Sequence, residues 1–264
     1  MQFTLTSDEG LPIRGNLTVP ADAEALVILI HGFKGFKDWG FFPWLTNALV
    51  EQQIAVCRFN MSRSGIGEDL ETFDRLDLFA DDTYTTQLAD LRVVIGHAQS
   101  RVALPTFLLG HSRGGGVALL GAAEAQNLHG VITWNAIAHT DRWDDATKAT
   151  WRRQGYFDVE NARTKQMMRM STRALDDLAT NDYDILRAAS RLDVPLLAIH
   201  GGRDETIPGA ESIELAKSAR EAVRLMISTA SHTLNAVHPL VSVPRELALA
   251  AAVTARFVAA YSDV

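Results

Sequence analysis

Leu108-Leu109-Gly110-His111-Ser112-Arg113-Gly114-Gly115-Gly116 is the stretch on which the reading of this chain turns. Pro105 opens a short apolar run, Thr106 to Leu109, that reads as a strand, and Gly114 to Gln126 reads as a helix. Between them stands Gly-x-Ser-x-Gly. The pentapeptide alone recurs by chance, but a position directly after a strand and directly before a helix gives it meaning. So sharp a turn forces Ser112 into a strained backbone conformation, and strand and helix approach so closely that the flanking residues must lack side chains. Gly110 and Gly114 meet that need. The Ser112 hydroxyl then projects at the carboxyl end of a sheet, where open α/β folds place their ligands.

Outward from the turn, short apolar runs alternate with longer amphipathic ones. Phe3 to Leu5 and Ile13 to Val19 read as an opening antiparallel pair. Ala25-Leu26-Val27-Ile28-Leu29-Ile30 is a near-continuous β-branched and leucine run, the pattern of a strand covered on both faces. Further strands are predicted over 54–59, 130–134, 194–199 and 223–228, and helices over 43–53, 82–98, 210–220 and 243–261. In the second of these helices Leu88, Leu91, Val94, Ile95 and Ala98 form one buried stripe. Repeated strand-then-helix units imply a parallel sheet with right-handed crossovers and helices on both faces. From Ala138 to Arg191 no strand is predicted, and helices carrying Met167, Met168 and Met170 are expected. That stretch reads as an insertion.

A serine hydroxyl is a weak nucleophile until a base takes its proton, and the base needs an acid to fix its tautomer. Downstream, His200-Gly201-Gly202-Arg203-Asp204 places Asp204 just past a strand, and Ala230-Ser231-His232-Thr233 places His232 ahead of the final helix. The order Ser, Asp, His is the one expected with a nucleophile elbow. His200 and His238 remain rivals for the base, and Glu205 for the acid.

With His31-Gly32-Phe33 after the third strand, the elbow, the acid loop and Ser231-His232-Thr233, the sequence resembles the α/β-hydrolase family, in its esterase-like and dienelactone-hydrolase-like branches. The resemblance covers nearly the whole chain. It implies a mostly parallel eight-stranded sheet flanked by helices, with a core of residues 1–137 and 192–264 and a helical cap over 138–191. It also implies a Ser112, Asp204, His232 triad, with the backbone N–H groups of Phe33 and Arg113 as oxyanion donors. The activity implied is cleavage of a small-molecule carboxylic ester through an acyl-enzyme, without a cofactor or metal. Thioester, carbon–carbon bond and exopeptidase substrates use the same triad, and a silent binding protein can share the fold. One departure concerns the loop after the fourth strand, where Asn60 stands at a position often acidic in relatives.

Phe36, Trp39, Trp143 and Met167 are the candidate substrate-pocket residues, the alternative being cap-to-core packing. Arg58, Arg63, Arg152, Arg153 and Arg163 are candidates to meet a substrate carboxylate. Neither a phosphate-binding loop nor a set of metal ligands at the usual spacing is visible.

Composition narrows the classes. The 264 residues suffice for a large core, and a net charge of −7 argues against a nucleic-acid partner. That charge is uneven: residues 68–82 hold seven acids and one arginine, whereas 141–173 hold eight bases and five acids. The single cysteine, Cys57, is expected to be a buried thiol, and with no signal peptide or membrane span in view the protein is expected in the cytoplasm. The sequence leaves open whether it forms a homo-oligomer.

Overall fold

The computed structural model describes residues 1–69 and 72–262; Leu70 and Glu71 of the acidic run lie outside the described residues. Strands β1 (Gln2–Thr6), β2 (Pro12–Thr18), β3 (Ala25–Ile30), β4 (Ile54–Phe59), β5 (Thr106–His111) and β6 (Leu128–Trp134) precede the insertion. A hairpin of β7 (Tyr156–Glu160) and β8 (Met167–Ser171) lies within it, and β9 (Leu196–Gly201) and β10 (Ala222–Ile227) follow. Eight strands form one sheet in the order β1-β2-β4-β3-β5-β6-β9-β10. It is antiparallel only where β1 meets β2 and β2 meets β4.

Every residue of β3, β5 and β9 is buried, as expected of central strands with helices on both faces. Period-2 alternation divides β3 between two cores. Leu26, Ile28 and Ile30 pack toward α3 (Tyr84–Arg101) and α4 (Arg113–Ala122), while Ala25, Val27 and Leu29 pack toward α1 (Phe42–Val50) and α9 (Arg245–Tyr261). Helix α8 (Gly209–Ser218) covers β9 and β10 on the α4 side. Pairing of Ile30 with Gly110, of Gly110 with Thr133 and of Trp134 with Ile199 brings the carboxyl ends of four strands level. The loops carrying the site leave from that edge. Cys57, in β4, is buried, and burial pushes its thiol up to about 12, so it stays protonated.

The insertion departs from the all-helical expectation. It contains α5 (Asp145–Gln154), the β7–β8 hairpin, α6 (Arg173–Thr180) and α7 (Ile185–Ser190). Met167, Met168 and Met170 lie on a strand, with Met168 and Met170 buried and Met167 and Arg169 outside. A period of two was present, but methionine and arginine carry no β-branched signature. Asn161 closes the hairpin by accepting from the N–H groups of Arg163 and Thr164. The hairpin packs through Met168 and Met170 on a cluster with Trp151, Phe36, Phe73 and Phe79, the last from α2 (Leu76–Ala80). Ile185, Ala188 and Ala189 of α7 instead join the main core beside α4.

Candidate active site

Ser112 sits between β5 and α4 at φ 57°, ψ −125°, a left-handed conformation that costs a non-glycine residue about 1–3 kcal/mol. The surroundings hold it there. Its N–H donates to the Trp134 carbonyl at 2.9 Å, and its own carbonyl accepts from Gly115 at 3.0 Å. A Cβ on Gly110 would stand 2.1 Å from the Gly114 carbonyl oxygen, and one on Gly114 would stand 2.4 Å from that of Ile30.

His232 Nε2 lies 3.1 Å from Ser112 Oγ, and its Nδ1 lies 2.8 Å from Asp204 Oδ2. The other Asp204 oxygen accepts from the N–H groups of Thr206 and Ile207 at 2.8 and 2.9 Å. Burial opposes the charge on Asp204, but the His232 and Ile207 hydrogen bonds outweigh it and hold the carboxyl below its ordinary range. Of the rivals, His200 also flanks Asp204, its Nε2 3.6 Å from Oδ2, but the hydrogen bond to Ser112 is made by His232. His200 is fully buried with Nε2 on the Ile207 carbonyl, His238 Nδ1 accepts from the Gly40 N–H, and Glu205 is exposed.

Two further residues fasten the histidine loop. His111 Nε2 donates to the His232 carbonyl at 2.8 Å. Burial, aided by the nearby His232, pushes its pKa down to about 3, so it stays a neutral donor. Asn135, just past β6 at φ 49°, donates through Nδ2 to the carbonyls of Ser231 and His232 and accepts from the Gly201 N–H at 2.7 Å. One buried amide therefore joins the ends of β6 and β9 to the histidine loop. In the sequence, the only signals were an asparagine directly after a strand and a histidine inside the elbow. Asn135→Ala strands the buried Gly201 N–H and removes one of the two donors to the Ser231 carbonyl, the other being the Leu234 N–H at 3.0 Å, and is expected to cost about 3 kcal/mol. The midpoint should fall by roughly 10 °C in a thermal melt, with kcat lowered more than KM is raised.

The loop after β3 passes against the serine, where a Cβ on Gly32 would lie 3.0 Å from that of Ser112. This puts Phe33 beside the elbow. Among the described residues, no carbonyl or side chain accepts from the N–H of Phe33 or Arg113. The Arg113 guanidinium lies 4.3 Å from the Tyr84 ring, 5.6 Å from the Phe33 ring and 3.5 Å from Asp82. Burial raises Asp82 to about 6 against the pull of Arg113 and Gln87.

Behind it, Asp90 accepts from the Ser62 N–H at 2.6 Å, and burial raises its pKa to about 7. The folded chain therefore keeps the Asp90 proton that the unfolded chain, near 3.8, gives up, so this group lowers stability as pH rises from about 4 to about 7. Asp90→Asn retains the acceptor for Ser62. Its melting temperature is expected to overtake that of the wild type progressively between pH 5 and pH 8.

A cavity of about 430 Å³ opens over Ser112 and His232. Trp39, Phe42, Tyr84, Ile137 and Trp143 form its apolar walls. Of the four predicted pocket residues, Trp39 and Trp143 line it. Phe36 is fully buried against Phe73 and His238, because the following turn folds its ring under the hairpin. Met167 is 54% exposed on the outer face of β8. Among the described residues, no group of three His, Cys, Asp or Glu could hold a metal, and no helix is long and apolar enough to cross a membrane.

Comparison with known proteins agrees with this geometry. The family model described as serine aminopeptidase, S33, matches residues 21–154. The 2,6-dihydropseudooxynicotine hydrolase of Paenarthrobacter nicotinovorans is 25% identical over 204 residues, 75% of this chain and 49% of that protein. The chain thus spans about half the length of that curated relative. Among solved structures, Est1E from Butyrivibrio proteoclasticus with ferulic acid bound superposes with a TM-score of 0.79 at 19% identity, covering 99% of this chain and all of that one. A dienelactone hydrolase from Anabaena variabilis gives 0.65 at 18% identity, over 99% of this chain and 98% of its own. With half of the chain matched by the family model and the sheet order, elbow and loops in place, this protein is an α/β-hydrolase belonging to the serine aminopeptidase S33 family.

Proposed function

We propose that the protein is a serine hydrolase that cleaves carboxylic esters through an acyl-enzyme, with Ser112, His232 and Asp204 as its triad. The observation that carries this reading is the unbroken line from Ser112 Oγ through both His232 nitrogens to Asp204 at 3.1 and 2.8 Å. His232 Nε2 takes the Ser112 proton as Oγ attacks the acyl carbon. The imidazolium, stabilised by the ionised Asp204, returns that proton to the leaving alcohol. The N–H groups of Phe33 and Arg113 receive the developing oxyanion, each worth about 3 kcal/mol. His232 then activates water against the acyl-enzyme, releasing the acid and restoring Ser112.

An ester is favoured over an aminopeptide substrate by the charges around the cavity. Lys34, Arg113, Arg142 and Arg163 line it, and no carboxylate does so among the described residues. Acids in contact with its lining residues are already engaged, Asp204 by His232, Asp82 by Arg113 and Glu211 by Arg142 at 3.0 Å. A free α-ammonium group would meet only cations there. The test compares p-nitrophenyl butyrate with alanine p-nitroanilide and maps a fluorophosphonate adduct by mass spectrometry. Ester turnover with the adduct on Ser112 is expected; anilide turnover alone, or an unlabelled Ser112, would overturn the reading.

A further inference from the structure

Five arginines were candidates to meet a substrate carboxylate, and the structure sorts them. Arg58 pairs with Asp38 at 2.9 Å, Arg63 with Glu9 at 2.6 Å and Arg152 with Asp176 at 2.8 Å. Arg153 donates to Thr150 on the outside of α5. Only Arg163 lines the cavity. It stands in the β7–β8 turn with its guanidinium 6.0 Å from the Phe36 ring, and among the described residues it has no acidic partner. Lys34, in the loop after β3, lines the cavity too. Its ammonium group donates to the Glu160 carbonyl oxygen at 2.8 Å, while the Glu160 carboxylate is taken by Lys165 at 3.0 Å. Burial lowers the Lys34 pKa, and the charge of Glu160 offsets only part of that cost.

The balance of charge in the cavity follows. Arg113 and Arg142 are neutralised by Asp82 and Glu211, whereas Lys34 and Arg163 each bring a positive charge with no carboxylate in contact among the described residues. Trp39, Trp143 and Tyr84 line the same cavity as Ser112 and give it apolar surface suited to a flat apolar group. An anion bound beside both cations would recover their electrostatic cost, and the guanidinium suits a two-oxygen acceptor.

We infer that Lys34 and Arg163 form a carboxylate subsite, so that the preferred substrates are esters whose flat, apolar body carries a carboxylate remote from the scissile bond. This rests on the serine-hydrolase reading for the ester and on the cavity's charges for the carboxylate. The subsite joins the oxyanion-side loop to the hairpin, so an anionic substrate would bridge the two elements while its acyl carbon faces Ser112.

Two substrate pairs test it, one with the charge on each side of the ester: mono-4-nitrophenyl terephthalate against 4-nitrophenyl 4-methylbenzoate, and 4-acetoxybenzoate against 4-methylphenyl acetate. In at least one pair the anionic member is expected to have about a five-fold higher kcat/KM, the scale of about one ion pair. The ratio should shrink with added salt, fall to about one in Lys34→Gln/Arg163→Gln, and drop below one in Arg163→Glu. Each ratio is taken within one protein, so partial unfolding cancels. In parallel, calorimetry on Ser112→Ala compares cinnamate with cinnamamide. The acid is expected to bind about five-fold more tightly, and the difference should vanish when Lys34→Gln/Arg163→Gln is added. Ratios at or below one in the wild type, or unchanged in the double variant, overturn the subsite even where neutral esters are hydrolysed. Conversely, preferential binding of cinnamate through Lys34 and Arg163 with no ester turned over would keep the subsite and reject the hydrolase reading.

Discussion

Ser112→Ala is expected to lower kcat toward a p-nitrophenyl ester by roughly ten-thousand-fold or more, leaving a floor set by the oxyanion donors and the cavity. The loss is large because the three side chains act as one unit: without Oγ, His232 has no nucleophile to deprotonate, and a water in its place lacks the serine's fixed orientation. Ser112→Gly separates this chemistry from the backbone that presents it. At φ 57° and ψ −125° a glycine relaxes what a serine must endure, so this variant is expected to be equally inactive yet more stable by about 1 kcal/mol. Its thermal midpoint should rise by about 2–4 °C. Equal melting of the two variants would show that the elbow stores no strain; retained activity in either would remove Ser112 from the mechanism.

Gly114→Ala is expected, with Gly110→Ala, to be among the most damaging single-methyl substitutions outside the proposed triad. The new Cβ would stand 2.4 Å from the Ile30 carbonyl oxygen and 2.5 Å from that of His31, both main-chain atoms held in or beside the central strand β3. Neither can swing away as a side-chain tip would. The sheet and α4 must part instead, at about 3 kcal/mol or more, lowering the midpoint by roughly 10 °C or preventing soluble expression. Gly96, in α3, is the control, because a Cβ added there would meet nothing within 4 Å. Gly96→Ala is expected to stabilise by about 0.5–1 kcal/mol through helix propensity. Comparable melts for the two variants would refute the close approach of strand and helix.

What the sequence made legible was what depends on local pattern. β3 and β5 show as uninterrupted apolar runs because both faces are covered, and Gly110 and Gly114 mark the elbow because a methyl group cannot fit there. Ser112, Asp204 and His232 stand at strand ends in the expected chain order, and the structure brings them into contact. Features that depend on tertiary partners were hidden. Asn135 binds groups 66 to 97 residues away, and nothing local distinguishes it from an asparagine in a turn. Phe36 and Trp39 belong to one aromatic run, yet one ring is sealed beneath the hairpin and the other faces the cavity, a choice set by the fold of the turn between them. The hairpin itself was masked by residues with helical propensity, its alternation fixed by burial of Met168 and Met170 rather than by β-branching.

The strand order also carries a meaning for the growing chain. β5 and its serine are made early and pair with β3 and β6, whereas Asp204 and His232 follow β9 and β10, which join the sheet only after residues 135–195 have been synthesised. A nascent chain that has stalled before β9 carries Ser112 but lacks both of its proposed partners, His232 and Asp204. On the proposed mechanism, turnover is withheld until the last quarter of the polypeptide docks, which makes it a readout of completed folding.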